Sequence, residues 1–250
     1  MLKAMELKGK VVLITGGQRV GQFVARELAA SGASLAMTYL KDPAEVEPIL
    51  TEATSLGVVA KSYPLDLSDE ASIDALTAAV TKDFPQIDAL INMASIFTPD
   101  PAPLRLADIQ KTFAINTFGT MLLTRWFADT SKQRQASSAP IVSFIDWAVD
   151  HPYANHDVYV ASKAALRHYL MAMQTSFAGT VRVVNIHPGM ILEPAGFPGA
   201  EKEVIVTNTP TQNIGTPEQA AKLVKTALEL DFWVDNVYLA GGQQWRHRLL

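Results

Sequence analysis

The sequence predicts an α/β fold in which helices cover both faces of a doubly wound parallel sheet. Short apolar runs rich in β-branched residues alternate with segments of helical periodicity along the whole chain. This alternation favours parallel strands that are joined by right-handed crossovers. Because no linker rich in Pro, Gly or Ser divides the 250 residues, we expect one domain over 1–250.

The first half of the chain supplies four strands and three helices. VVLIT (11–15) is β-rich and ends in glycines, and SLAMTYL (34–40), a run within 58–67 and IDALINMA (87–94) are similarly apolar. The helical segment 19–32 stops at Gly32, and a second helix begins after Pro43. The third helix, 68–84, opens with the capping residues Ser68, Asp69 and Glu70.

The second half continues the alternation. Residues 104–133 are expected to form one long helix, and PIVSFID (140–146) a fifth strand. A helix over 157–178, a strand over 180–189, a capped helix over 216–230 and a strand over 236–242 follow. Between them, 192–213 contains several prolines and glycines and is expected to be a long loop, within a substrate-loop region at about 190–214. It would act as a lid or be a plain surface insertion.

Composition excludes several functions. The net charge of -4 favours neither nucleic-acid nor membrane-surface binding, and the absence of cysteine excludes disulfides, thiolate zinc sites and cysteine nucleophiles. The five histidines lack metal-ligand spacing, so no metal is expected. No apolar signal core or bilayer-spanning run is present, which predicts a cytoplasmic protein. The basic cluster Arg246, His247 and Arg248 is expected to be a solvated tail or a subunit contact.

A glycine-rich junction follows the first strand. Thr15-Gly16-Gly17 ends the strand, the helix begins near Arg19, and Gly21 lies in its first turn. Glycines let the backbone turn sharply and approach a pyrophosphate, which a helix N-terminus attracts. The junction therefore predicts a dinucleotide site.

Charge at the second strand favours NADPH over NADH. NAD sites commonly place an acid at this tip, whereas Thr38-Tyr39-Leu40-Lys41 has none before Asp42. Lys41 and Arg19 would suit a 2′-phosphate, although an ordinary exposed lysine is the alternative for Lys41. Asp66, after the third strand, would accept from the adenine amino group or cap the next helix.

A candidate catalytic group lies between residues 116 and 163. Tyr159 and Lys163 are spaced i, i+4 and share a helix face, where the ammonium would lower the pKa of the phenol. Alone, such a pair is more often solvated. Asn116 is unfavourable within a helix and would hold a water or a backbone carbonyl, or be satisfied in the core.

Together these motifs resemble the short-chain dehydrogenase/reductases. TGGQRVG, INMAS at 91–95, Asn116, Tyr159-x-x-x-Lys163 and HPG at 187–189 occur in that family's order and spacing. The resemblance implies one Rossmann-type domain with a seven-stranded parallel sheet, usually in a dimer or tetramer. It also implies that Tyr159 transfers the proton, Lys163 binds the nicotinamide ribose, and Asn116 belongs to a proton-relay water chain.

The chain departs from the family pattern in two places, and the second of them points to one branch. The glycine loop is one residue shorter than usual, and Asp146 stands where most members have Ser, thirteen before the Tyr. Pteridine reductases, including the dihydromonapterin reductase type, resemble this chain at Asp146, at Arg19 and at Ala94-Ser95-Ile96-Phe97. The branch implies NADPH-dependent reduction of a dihydropterin, pterin or dihydrofolate.

Physical chemistry is consistent with a pterin substrate. Phe97 would stack on a flat heterocycle, and Asp146 would keep Tyr159 protonated, with core filling and turn capping as the respective alternatives. Other hypotheses are a ketone, quinone or acyl-thioester reductase, or a non-catalytic nucleotide sensor. The substrate residues would be Arg19, Ser95, Phe97, Asp146, Tyr159 and Met190. The cofactor residues would be Thr15, Gly16, Gln18, Arg19, Val20, Gly21, Tyr39, Leu40, Lys41, Asp66, Leu67, Asn92, Ala94, Ser95, Tyr159, Lys163, Pro188 and Gly189.

Overall fold

The structure, a computed structural model, describes residues 4–193 and 198–243. Its described strands form one parallel sheet. They are β1 (Val11–Thr15), β2 (Ser34–Tyr39), β3 (Ala60–Pro64), β4 (Ala89–Asn92), β5 (Ala139–Phe144), β6 (Val181–Pro188) and β7 (Asn236–Leu239). The spatial order is β3-β2-β1-β4-β5-β6-β7, with every neighbouring pair parallel. The predicted seven-stranded Rossmann-type sheet is confirmed.

Helices cover both faces of this sheet. They are α1 (Val20–Ala30), α2 (Glu47–Ser55), α3 (Glu70–Asp83), α4 (Leu106–Phe113), α5 (Thr120–Gln133), α6 (Asp157–Ser176), α7 (Gly199–Thr207) and α8 (Pro217–Glu229). The expected caps are present, since Asp69 accepts the amide of Ala71 before α3 and Thr216 forms a capping box before α8. None of the described helices is long and apolar enough to cross a membrane.

Two hydrophobic cores lie on opposite faces of the sheet. Neighbouring residues of β1 show the division, because Ile14 packs into the core with α1, α2 and α8, whereas Leu13 packs into the core with α3, α5 and α6. Both side chains are fully buried. Strands covered on both faces must be apolar on both, which explains the continuous apolar runs in the sequence.

The strand order reverses beside β1, and this places the candidate site. The chain leaves β1 towards β2 and β3 and later returns to pair β4 on the other side, so a crevice opens at the carboxyl ends of β1 and β4. Thr15 and Asn92 end these strands in register. The Thr15 hydroxyl accepts the backbone N–H groups of Met93 and Ala94 at 3.1 and 3.2 Å, which holds the two strand ends together.

The predicted long helix over 104–133 is present as residues 106–133, but its winding is not uniform. A π-helical turn, Ala114–Gly119, separates α4 from α5. Gly119 explains part of the difference, because a Cβ there would lie 1.9 Å from the carbonyl oxygen of Leu67. Periodicity does not report such a close backbone approach, and the extra residue of a π-turn often marks a functional position.

The expectation of a long loop over 192–213 was wrong in part, because the helix α7 occupies residues Gly199–Thr207 of it. Pro198 stands at the N-cap of α7 and Gly199 begins it, positions where these residues are tolerated. No residue of α7 is buried, so its sequence lacks the apolar face by which a helix is recognised. Residues 194–197, and the basic cluster Arg246, His247 and Arg248, lie outside the described residues.

Candidate active site

Asp146 lies just after β5, at the carboxyl edge of the sheet. Its Oδ1 accepts the amide of Ala148 at 2.8 Å and the hydroxyl of Tyr153 at 3.1 Å. Its Oδ2 accepts the hydroxyl of Tyr159 at 2.8 Å, and the residue is only 8% exposed. The carboxylate therefore both caps the turn Trp147–Val149 and holds the candidate catalytic tyrosine.

Tyr159 and Lys163 project from one face of α6 into the protein, and both are buried. The Lys163 ammonium donates to the carbonyl oxygen of Phe144 at 2.9 Å, at the end of β5. The alternative of a solvated pair is thereby excluded for these side chains.

Burial dominates the ionisation of this group. It raises the pKa of Asp146, against the stabilising hydrogen bonds of Ala148, Tyr159 and Tyr153 and the charge of Lys163. The pKa of Tyr159 is raised well above its ordinary value by burial and then by the Asp146 charge. This agrees with a phenol that Asp146 keeps protonated, and not with the lower pKa expected from the Lys163 ammonium. Burial lowers the pKa of Lys163 to about 8, while Asp146 opposes that shift.

The Asn116 amide is fully engaged from within the π-turn. Its Oδ1 accepts the N–H of Ile96 at 2.8 Å, and its Nδ2 donates to the carbonyl oxygen of Ile96 at 3.0 Å. The same Nδ2 also donates to the Ser162 hydroxyl at 3.2 Å, and that hydroxyl donates to the carbonyl oxygen of Tyr159 at 2.6 Å. Asn116 thus connects the segment that carries Phe97 to the helix that carries Tyr159.

A cluster of aromatic rings lies beside the phenol of Tyr159. Phe97 is half exposed, and its ring meets Tyr159 edge-on at 4.7 Å between centroids. One face of Phe97 is stacked on His156, with centroids 4.3 Å apart and planes 10° apart. Tyr153 touches Phe97 and His156 edge-on. Phe97 therefore lies at an open aromatic surface and does not fill the core.

The glycine loop packs tightly beneath the crevice. A Cβ at Gly16 would lie 2.8 Å from the amide nitrogen of Ala94, and one at Gly21 would lie 2.2 Å from the carbonyl oxygen of Gly16. The N-terminus of α1 has no capping side chain and no acid in its first turn. Gln18 is exposed and Val20 half-buried beside this N-terminus. The exposed N–H groups of such a helix end favour an anion.

Arg19 has a backbone conformation that usually favours glycine, with φ at 52°. Its guanidinium donates to the carbonyl oxygens of Leu192 and Glu193 at 2.9 and 3.3 Å. Arg19 therefore joins the glycine loop to the start of the region expected to hold substrate.

The remaining predicted residues occupy the same edge of the sheet. Lys41 is exposed after β2, and the nearest acid, Asp42, uses its Oδ1 to cap Ala44 at 2.9 Å. The Oδ1 of Asp66 accepts both the N–H and the hydroxyl of Ser68 at 2.8 and 2.6 Å. Leu40 and Ser95 are exposed, Leu67 and Asn92 are buried, and Tyr39, Ala94, Pro188, Gly189 and Met190 are half-buried.

Sequence reasoning missed two residues of the site, Tyr153 and Ser162. Tyr153 bonds to Asp146, and Ser162 joins Asn116 to the backbone of Tyr159. A signal for the first was present, because aromatic and histidine residues recur throughout WAVDHPYANH at 147–156. Ser162 gave no such signal, since a serine within a helix is common and its partner comes from a distant segment.

A Rossmann-type sheet with a glycine loop at its switch point and a buried Tyr–Lys pair beside it defines a nucleotide-binding oxidoreductase. The family model described as short chain dehydrogenase matches residues 10–197. The chain therefore belongs to the short-chain dehydrogenase/reductase family.

Three similar proteins each cover three quarters of the chain or more. Galactitol 2-dehydrogenase of Agrobacterium fabrum is 29% identical over 96% of this chain and 99% of its own length. The 2-dehydro-3-deoxy-D-gluconate 5-dehydrogenase of Pseudoalteromonas atlantica is 31% identical over 76% of each chain. A short chain dehydrogenase from Burkholderia cenocepacia, solved in complex with NADP, has a TM-score of 0.86 at 26% identity, over 96% of this chain and 99% of that one.

Proposed function

We propose that the protein is an NADPH-dependent reductase of a dihydropterin or a similar flat conjugated ring. The contact that carries this proposal is the 2.8 Å hydrogen bond from the Tyr159 hydroxyl to the Asp146 carboxylate. A ketone reductase needs a neutral hydroxyl at that place to donate to the carbonyl oxygen, and an ionised carboxylate has no proton to donate. The half-exposed ring of Phe97, beside Tyr159, supplies an aromatic surface for a flat substrate.

The residues of the crevice fit a dinucleotide. The uncapped start of α1 suits a pyrophosphate, and the space at Gly16 admits no side chain. Lys41 is exposed, and its positive charge suits a 2′-phosphate. The neighbouring acid, Asp42, uses its Oδ1 to accept the Ala44 amide. The Burkholderia relative was solved with NADP, which favours the same cofactor here. When bound, NADPH supplies the hydride.

The side chains supply the proton. Burial and Asp146 raise the pKa of Tyr159, which keeps its hydroxyl protonated before the reaction. In the reaction this hydroxyl gives its proton to a ring nitrogen of the substrate. Asp146 orients that hydroxyl, and Lys163, held by the Phe144 carbonyl, provides the positive charge that stabilises the phenolate left behind. Asn116 fixes the segment of Phe97 against α6.

A second candidate is the reduction of a ketone or oxidation of the corresponding secondary alcohol. The named relatives favour it, because they are dehydrogenases of a polyol and of a sugar acid. Burial raises the pKa of Asp146, and a protonated Asp146 would donate to a carbonyl oxygen as a hydroxyl does. Asp146 is thus compatible with this reaction only in its protonated form.

One experiment separates the two candidates. Purified protein is assayed for NADPH oxidation with 7,8-dihydropterins and dihydrofolate, and in parallel with ketones, quinones and an acyl thioester; polyols with NADP test the reverse direction. We expect turnover with the pterins and weaker turnover with NADH. Turnover with ketones or polyols alone would establish the second candidate. Tight NADPH binding without turnover on any substrate would indicate a nucleotide sensor.

A further inference from the structure

We propose that Tyr153 is a positioning residue that holds the Asp146 carboxylate in the orientation in which it meets Tyr159. The inference rests on the proposed role of Asp146 in the reaction. Tyr153 is no part of the Tyr–Lys–Asn group, and it lies in the segment between the end of β5 and α6.

The two oxygens of Asp146 have separate donors. Oδ1 takes the Ala148 amide at 2.8 Å and the Tyr153 hydroxyl at 3.1 Å, which leaves Oδ2 to the Tyr159 hydroxyl at 2.8 Å. The Ala148 bond alone fixes one oxygen but still allows the carboxylate plane to tilt. A second donor on the same oxygen restricts that tilt, so Oδ2 stays in line with Tyr159.

Packing fixes the position of the Tyr153 hydroxyl. The Tyr153 ring meets Trp147 edge-on at 5.7 Å, Phe97 at 5.9 Å and His156 at 6.1 Å between centroids. Edge-on aromatic contacts are favourable and directional. The ring is thus held on several sides, and a hydroxyl held in this way is a preorganised donor that loses little entropy on bonding.

Charge makes this donor important. The charged or titratable groups that face Asp146 are Tyr159 and Lys163 of α6, Tyr153 itself, and His187 of β6, whose Nδ1 bonds to the backbone carbonyl of Asp146 at 3.0 Å. The Lys163 ammonium donates to Phe144 and acts on the buried carboxylate only through its charge, so the hydrogen bonds to Asp146 come from neutral donors. The pKa of Tyr153 is raised by burial and by Asp146, and the hydroxyl therefore remains a donor at all working pH values.

The first test is Tyr153→Phe, which removes one oxygen and keeps the ring. A carboxylate that loses a donor becomes easier to protonate, so the ionisation of Asp146 in the pH profile of kcat/KM should move to higher pH by about half a unit or more. We expect kcat to fall about tenfold, with the Kd for NADPH unchanged. Tyr63→Phe is the matched control, since Tyr63 donates to Asp83 at 2.8 Å away from the site; it should leave the profile unchanged.

A double-mutant cycle tests whether Tyr153 acts through Asp146. In an Asp146→Asn background, Tyr153→Phe should cause little further loss of kcat. An equal loss in both backgrounds, or a wild-type pH profile for the single variant, would overturn the proposal. If Tyr153→Phe proves unstable, Tyr153→Met repeats the test with a flexible apolar side chain.

A measurement without substrate separates this inference from the proposed function. The pKa of the Asp146 carboxyl is followed by carbon NMR in the wild type and in Tyr153→Phe, with Asp146→Asn to assign the signal. A raised value in the variant supports the positioning role even if the protein reduces ketones rather than pterins. An unchanged value refutes it even if pterin turnover is found.

Discussion

At the scale of single residues, Asp146 decides what the site can do. The sequence left turn capping and contact with Tyr159 as alternatives, and the structure shows both, one on each carboxylate oxygen. Burial of a carboxylate costs stability, and a buried carboxylate in contact with the proton donor therefore indicates a functional role. Its chemistry therefore offers the sharpest test of the proposed reaction.

Asp146→Asn should lower kcat for dihydropterins about 100-fold or more, because the amide keeps the shape of the carboxylate but loses its charge. The pKa of Tyr159 should fall when that charge is removed, and ultraviolet titration of the phenol measures this. The Kd for NADPH should not change. Asp146→Ser should likewise cut pterin turnover, and full pterin activity in either variant would refute the role of Asp146.

Asp83→Asn provides the control for this change. Asp83 also accepts a tyrosine hydroxyl, that of Tyr63, and it pairs with Lys61 outside the candidate site. Its substitution removes a tyrosine-bound carboxylate of the same kind. We expect a small change in stability and no change in kcat.

Lys163 should lower the stability of the folded protein, although the reaction requires it. Burial lowers its pKa to about 8, which means that the folded protein binds the Lys163 proton less tightly than the unfolded chain does. Lys163→Met should abolish turnover yet raise stability near neutral pH by roughly 2 kcal/mol, or Tm by about 5 °C. The hydrogen bond from the Lys163 ammonium to the Phe144 carbonyl, which the variant lacks, offsets part of this gain.

The pH dependence of this effect has a definite sign. Between the folded pKa of about 8 and the ordinary value of 10.5, the unfolded chain binds the Lys163 proton more readily than the folded protein does. The stability of the wild type relative to the variant therefore increases as pH rises through this window. Thermal melts at pH 7 and pH 10 check this, and a variant that is less stable at pH 7 would contradict the argument.

The residues that sequence could predict are those whose partners are close along the chain. Tyr159 and Lys163 follow from helical spacing, and the glycine loop follows from its place after β1. Tyr153 and Ser162 matter only through contacts with Asp146 and Asn116, which tertiary packing creates. The guanidinium of Arg19 could not be placed either, because its partners Leu192 and Glu193 lie far along the chain.

At the scale of elements, strands and capped helices were predictable and the π-turn was not. Burial on both faces makes the strands continuous apolar runs, and capping residues mark the starts of α3 and α8. The interruption between α4 and α5 depends on a close backbone contact, which leaves no periodic pattern. The helix α7 escaped prediction because it has no buried face.

Gly119→Ala tests the role of the π-turn. The φ angle of Gly119 is ordinary for a helix, so close approach and not conformational freedom explains the glycine. An added Cβ would lie 1.9 Å from the Leu67 carbonyl oxygen, which the backbone must relieve by moving. We expect a loss of about 3 kcal/mol in the free energy of unfolding, from urea titration, together with reduced kcat because Asn116 shifts.

Gly199→Ala is the control for this substitution. Gly199 begins α7, and an added Cβ there meets nothing within 4 Å. The substitution should leave stability unchanged or raise it slightly, since alanine favours a helix over glycine. Equal stability for the Gly119→Ala and Gly199→Ala variants would mean that the π-turn accommodates the added Cβ without loss of stability.

At the scale of the whole molecule, strand–helix alternation was enough to predict the topology. Right-handed crossovers and short connections leave few ways to arrange these elements, and the doubly wound order is among them. Substrate choice did not follow from the fold, because many reactions use the same sheet. Assembly is likewise a property of the surface and does not follow from the fold.

We expect the protein to form a dimer or tetramer through the helices that follow β4. Phe118 and Leu122 are 54% and 45% exposed and lie one turn apart, and Leu106 at the start of α4 is 68% exposed. Large apolar side chains grouped on helices in this way are typical of interfaces. Size-exclusion chromatography with light scattering should therefore give a multiple of 27.2 kDa.

Substitution of this surface identifies the interface. Phe118→Ser combined with Leu122→Lys should shift the assembly to smaller species, because it places a charge and a polar group where apolar contact is needed. Leu56→Lys is the matched control, since Leu56 is 50% exposed at the end of α2, on another part of the surface. A wild-type protein that is monomeric at all concentrations would refute the expectation. An unchanged mass for the double variant would place the interface elsewhere on the molecule.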